Sequence, residues 1–116
     1  MNCEEIELSM PGGHKKDVTV CRNVNMPPNI KGATNGDDLI LISKYLDDLP
    51  VSDPNLYVVI HETNHIYFPN KSEYEIRVMS DRDYYRLTGE SIDTTKYLSN
   101  EEYYTRYIER LSEEFD

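Results

Sequence analysis

Two prolines, Pro54 and Pro69, bracket a stretch that has little choice but to be helical. Ser52 or Asp53 can cap it, and Pro54 is pre-organised for its first turn. Leu56, Val59, Ile60, Thr63 and Ile66 then recur at helical spacing until Pro69, which has no N–H to donate, forbids continuation. A second helix is predicted from Ser72, where Glu75 completes a capping box, to about Leu87, with Gly89 as its C-terminal stop. A third starts at Ser99 or Asn100 and sets Tyr104, Ile108, Leu111 and Phe115 on one stripe, with Tyr103 and Tyr107 beside it.

The first part of the chain reads differently. Residues 1–36 carry turn-forming pairs (Pro11-Gly12-Gly13, Pro27-Pro28, Asn35-Gly36) around one strand-like segment, Asp17 to Arg22, so short strands joined by turns are expected. Leu39-Ile40-Leu41-Ile42-Ser43 suits a buried central strand. Strands first and helices after make a single α+β domain over residues 1–116. Its N-terminal part, 1–36, is strand-rich, and its core, 37–116, carries the motif described next. The expected architecture is a small twisted sheet of about three strands packed on the helix that starts at Pro54, followed by C-terminal helices.

Charge narrows the function classes. The 12 basic and 22 acidic side chains leave a net charge of −10, and basic residues adjoin only at Lys15 and Lys16. Phosphate backbones are bound by clustered Lys and Arg, so a nucleic-acid partner is not expected. Nor is a membrane. The longest apolar run, Leu39 to Ile42, is far short of the roughly 20 residues that span a bilayer. The N-terminus MNCEEIELS is acidic where a secretory signal would be basic and then apolar, which favours the cytoplasm. A hydrophobic content of 38% is rescued by ten tyrosines, whose rings can be buried while the hydroxyls stay wet. Cys3 and Cys21 could form one optional bridge that suits either redox compartment.

Inside the first helix the sequence reads His61-Glu62-Thr63-Asn64-His65, an H-E-x-x-H motif. Residues four apart lie one above the other on a helix, so both imidazoles can face one metal ion. Glu62 sits beside them, within reach of a water on that ion. Zinc held by three protein groups keeps an open position and brings its bound water to a pKa of roughly 7. Glu62 would take the water's proton during attack on a polarised carbonyl and deliver it to the leaving amine. Asn64 is discordant, because a polar amide facing the core must find a hydrogen bond. A metzincin would carry Gly at position 68 and His or Asp at 71, where this chain has Phe68 and Lys71, and that branch is ruled out.

The H-E-x-x-H motif together with the later Ser99-Asn100-Glu101-Glu102-Tyr103-Tyr104 resembles the gluzincin zinc metallopeptidases, in particular the anthrax lethal factor catalytic domain and minimal-scaffold gluzincins. The resemblance implies His61 and His65 as zinc ligands, Glu62 as general base, Glu102 as third ligand and Tyr97 as a hydroxyl supporting the tetrahedral intermediate. It also implies a second acidic residue one turn after the metal-binding glutamate, where Arg106 follows Glu102. The residues themselves leave the third ligand open. Glu102 doubles as a capping-box glutamate, Glu101 lies closer to the apolar stripe of its helix, and Glu73 and Glu75 are further candidates. His14, in a Gly-rich turn, reads as an exposed loop histidine, and the cysteines as small hydrophobes before zinc ligands.

The expected function is therefore zinc-dependent hydrolysis of a peptide or protein substrate. An extended chain would pair with an exposed strand edge in the Asn29 to Gly36 region, and the acidic surface hints at cationic peptides. The rivals are a zincin-like domain that binds a partner without catalysis, and an acidic interaction domain whose motif is coincidental.

Overall fold

Alternating side chains along Lys15–Val24 send Val18 and Val20 to one face and Cys21 to the other, and the strand pairs on both sides. The computed structural model, which describes residues 1–97, orders the four strands β1-β2-β4-β3. These are β1 (Asn2–Ser9), β2 (Lys15–Val24), β3 (Gly32–Thr34) and β4 (Leu39–Ser43). β1 and β2 form an antiparallel hairpin, β2 and β4 run parallel, and β3 returns antiparallel to β4. The fold is α+β as expected, with four strands among the described residues where about three were anticipated. β1 is the addition.

β4 is the central strand, buried on both faces. Ile40 and Ile42 join Val18, Val20 and Leu46 in the cluster that also takes in Val58 and Ile66, while Leu41 packs with Cys21, Met26, Ile30 and Ala33 on the other side. The register of β2 against β4 shifts between Cys21 and Val24, where Asn23 takes φ 57°, a conformation asparagine tolerates better than most residues. The β3–β4 turn is tied by Asn35 Oδ1, which accepts from the N–H groups of Asp37, Asp38 and Leu39. Cys3 and Cys21 face each other across β1 and β2 and are joined by a disulfide.

The two helices among the described residues begin and end where their caps dictate, and the third expected helix, from Ser99 or Asn100, lies outside those residues. In α1 (Pro54–Tyr67), Asp53 accepts from Leu56 N, and Phe68 N–H closes the last turn on Asn64 O ahead of Pro69. In α2 (Glu73–Thr88), Ser72 and Glu75 form the reciprocal box, and Gly89 closes the helix at φ 78°. The short link between them makes the helices antiparallel. Tyr84 Oη accepts from Asp53 N at one end of the pair, and Glu73 meets His65 at the other. A 3-10 turn, Thr94–Tyr97, then lies against α2. Among the described residues, no helix is long and apolar enough to cross a membrane.

Helix α1 approaches the edge strand β3 closely because Gly32 has no side chain. A Cβ there would run into Val58 Cγ1 and come within 3.3 Å of Glu62 Cγ and of the Leu41 carbonyl. Gly32→Ala should therefore push α1 off the sheet at the turn that carries Glu62. We expect a loss of about 1–3 kcal/mol, read as a lowered denaturation midpoint in urea. An unchanged midpoint would mean that the contact relaxes at no cost.

Candidate metal centre

The helical hairpin decides which carboxylate meets the histidines. The chain leaves α1 at Phe68, turns through five residues and re-enters helix at Glu73, so the first residue of α2 lies against the last turns of α1. Glu73 Oε1 is 2.8 Å from His61 Nε2, and Glu73 Oε2 is 2.7 Å from His65 Nε2. One carboxylate thus spans both imidazoles, whose ring centroids are 4.9 Å apart.

Burial and charge set the protonation of this cluster. Glu73 is 4% exposed, and burial would raise its pKa. The hydrogen bonds and positive charge of His61 and His65 overcome that and hold it well below the usual carboxylate range. The N-terminal position on α2 favours a negative charge as well. For His65, burial would lower the pKa, but the hydrogen bond to Glu73 and the charges of Glu62 and Glu73 raise it above 6.5. Glu62 itself is 1% exposed, with Oε1 3.9 Å from His61 Nε2.

Two imidazoles and one carboxylate are a donor set suited to a divalent metal ion. One ligand atom from each of His61, His65 and Glu73 lies within 4.8 Å of the other two. Ligands about 2.0–2.2 Å from a tetrahedral ion lie about 3.3–3.6 Å apart, so a small opening of the present contacts would admit an ion. The three side chains could hold a metal ion.

The two histidines therefore stand where the H-E-x-x-H spacing put them, with Glu62 buried beside them. The carboxylate that joins them is Glu73, while Glu102, Glu101 and Arg106 lie outside the described residues. Tyr97 closes the 3-10 turn, and its side chain is outside the described part as well. Glu75 is turned to the capping box and Lys71. His14 sits exposed in the β1–β2 turn, and both cysteines are consumed by their disulfide, so neither offers a thiolate. The discordant Asn64 is satisfied, donating to Ser80 Oγ and Asp83 Oδ2.

A second group of residues supports the first. Arg77, one turn after Glu73, donates from Nε to Glu73 Oε1 at 3.2 Å and from Nη1 to the Thr94 carbonyl at 3.0 Å. Thr94 is held in turn by Asp81, which accepts from its N–H and hydroxyl, and Tyr57 Oη bonds both Asp81 and Thr94 Oγ1. Burial raises the Tyr57 phenol far above its usual pKa, so it stays protonated. Arg77, Thr94 and Tyr57 line a pocket of about 70 Å³ together with Asn29, Leu49, His61, Glu62 and Glu73. The strand edge expected over residues 29–36 exists as β3, but Gly32, Ala33 and Thr34 are all buried, and the segment is exposed at Asn29 and Asn35 on either side of them. Sequence reasoning missed Arg77, Asp81 and Thr94. Tyr57, four residues before His61 and so on the same face, was the one signal available.

The titrations give a signed expectation for the metal-free protein. Glu73, with its depressed pKa, contributes stability above the ordinary carboxylate value of 4.5 and loses it as pH falls through the folded value. His65, with its raised pKa, contributes below 6.5 and loses it as pH rises through the folded value. Thermal stability without metal should therefore peak between these limits and fall on both sides. Saturating zinc should remove the alkaline fall, because the ion replaces the proton on His65. A thermal scan across pH with and without zinc checks this, and an alkaline limb indifferent to zinc would contradict it.

No family model, no curated protein and no solved structure matches this chain.

Proposed function

We propose that the chain is a small zinc-dependent hydrolase acting on peptide bonds, with His61, His65 and Glu73 as metal ligands and Glu62 as general base. The observation that carries this reading is the meeting of Glu73 with both histidines of the motif at 2.8 and 2.7 Å, beside a buried Glu62, with His61, Glu62 and Glu73 lining a pocket. A lone H-E-x-x-H could be coincidence, whereas here a buried glutamate of the neighbouring helix meets both of its imidazoles. The chemistry zinc would supply is Lewis acidity and activation of a water.

The chain's own residues have defined parts in this scheme. Glu62 accepts a proton as the water attacks and returns it to the departing amine, which is work that needs a carboxylate kept from bulk solvent. Tyr57, fixed by Asp81 and Thr94, shapes the pocket wall next to His61. As to location, the Cys3–Cys21 bridge suits an oxidising compartment better than the cytoplasm.

Elemental analysis of protein purified without a histidine tag, followed by digestion of a broad peptide library, tests the reading. One zinc per chain is expected, lost in a His61→Ala, His65→Ala double variant, with cleavage abolished along with it. Zinc retained by the double variant would sink the metal centre. Zinc bound by a parent protein as inert as Glu62→Gln would leave a metal-holding binding domain instead of a peptidase.

A further inference from the structure

Two cations line the pocket, and they are spent differently. Lys31 Nζ lies 2.6 Å from the Pro28 carbonyl, 2.9 Å from the Tyr45 carbonyl and 2.5 Å from Asp48 Oδ1, which occupies the three donors of an ammonium. A guanidinium has five donors. Those of Arg77 meet two acceptors among the described residues, Glu73 Oε1 through Nε and the Thr94 carbonyl through Nη1. The Arg77 side chain remains 20% exposed on the pocket wall. Anchoring at Nε and at one Nη fixes the plane of the group at two points. Thr94, the outer anchor, is itself fixed by Asp81 through both its N–H and its hydroxyl. The remaining N–H groups are thus pre-organised, and their use costs little side-chain entropy.

Arg77 brings a positive charge to the pocket wall of a chain that carries −10. Glu62 and Glu73 together offset a bound dication, and Lys31 is matched by Asp48. Arg77 shares Glu73 with the metal site and keeps N–H groups beyond its two anchors. Resting on the peptidase reading above, we propose that Arg77 receives a carboxylate of the substrate close to the scissile bond, so that the peptides this site prefers are acidic there. A carboxylate can take two parallel N–H bonds from a guanidinium, a carboxamide of the same shape can take one, and an ammonium is repelled. Local geometry thus points to the opposite of what the net charge suggests, because the acidic surplus is spread over the surface while the pocket holds the arginine.

The test uses zinc-loaded Glu62→Gln protein, which holds peptide without turning it over. Fluorescent alanine octapeptides carrying a single Glu, Gln or Lys at each position in turn are titrated by anisotropy. At one position Glu should bind about ten- to hundredfold tighter than Gln, with Lys weakest. Adding Arg77→Gln should bring Glu and Gln within about twofold of each other while zinc stays at one per chain. The proposal is overturned if no position prefers Glu, or if the preference survives Arg77→Gln. Should Arg77→Gln fail to hold zinc, Arg77→Lys decides: it keeps the charge and loses the fork, and the Glu advantage should shrink about tenfold, an undiminished advantage counting against the proposal. Failure of the parent protein to cut any peptide would strike the peptidase reading alone, because this comparison reads binding.

Discussion

Glu73→Ala should leave the protein without stoichiometric zinc, whereas Glu102→Ala and Glu101→Ala should keep it. Loss of an outer-shell partner typically weakens a metal site ten- to a hundredfold, and loss of a direct ligand should cost more than that. Glu73 has no substitute among the described residues, because the other carboxylate next to the histidines, Glu62, is held under Gly32 and 3.9 Å from His61. The same substitution should flatten the acid limb of the metal-free stability profile, since the depressed titration of Glu73 disappears with it. Zinc content after exhaustive dialysis, measured on all three variants, decides between the glutamates. Retention by Glu73→Ala together with loss in Glu102→Ala would return the third ligand to the tail.

How much of this was legible in the sequence depends on the range of the interactions involved. Both helices, their caps and the central strand follow from signals within a few residues, such as the Ser72–Glu75 box and the Leu39–Ser43 run, and the structure places them accordingly. β1 was not legible because Glu4, Glu5 and Glu7 are poor strand formers. Its pairing with β2 and its few inward residues, Ile6 and Leu8 among them, override that preference. Glu73 stood among the candidate third ligands, and its place beside the histidines was legible. A helix that must stop before Pro69 and another capped at Ser72 can only form a tight hairpin, and a tight hairpin places the first turn of the second helix beside the last turns of the first. The motif resemblance put Glu102 ahead of Glu73, and Glu102 lies outside the described residues. The Tyr57–Asp81–Thr94–Arg77 group could not have been read at all. Its members lie up to 37 positions apart, and no local period relates them.

Glu62→Gln should lower peptide cleavage by roughly 10²–10⁴-fold, the range a positioned general base contributes, while leaving zinc bound. Its effect on folding should have the opposite sign to that of most buried substitutions. Glu62 is 1% exposed, and a carboxylate in such a place loses hydration that its neighbours must make up. Gln keeps the shape that fits beneath Gly32 and Val58 and removes the charge. The metal-free variant should therefore melt no lower than the parent. Part of what raises the His65 pKa is the charge of Glu62, so the variant's His65 should give up its proton at a lower pH. Proton competition for the metal site then starts at a lower pH, which can be followed by zinc competition against a chromophoric chelator across the histidine range. A variant that lost activity only because it lost zinc or unfolded would show the reverse on both counts. If cleavage persisted at the parent's rate with zinc in place, Glu62 would be a buried structural charge, and some other group would have to move the proton.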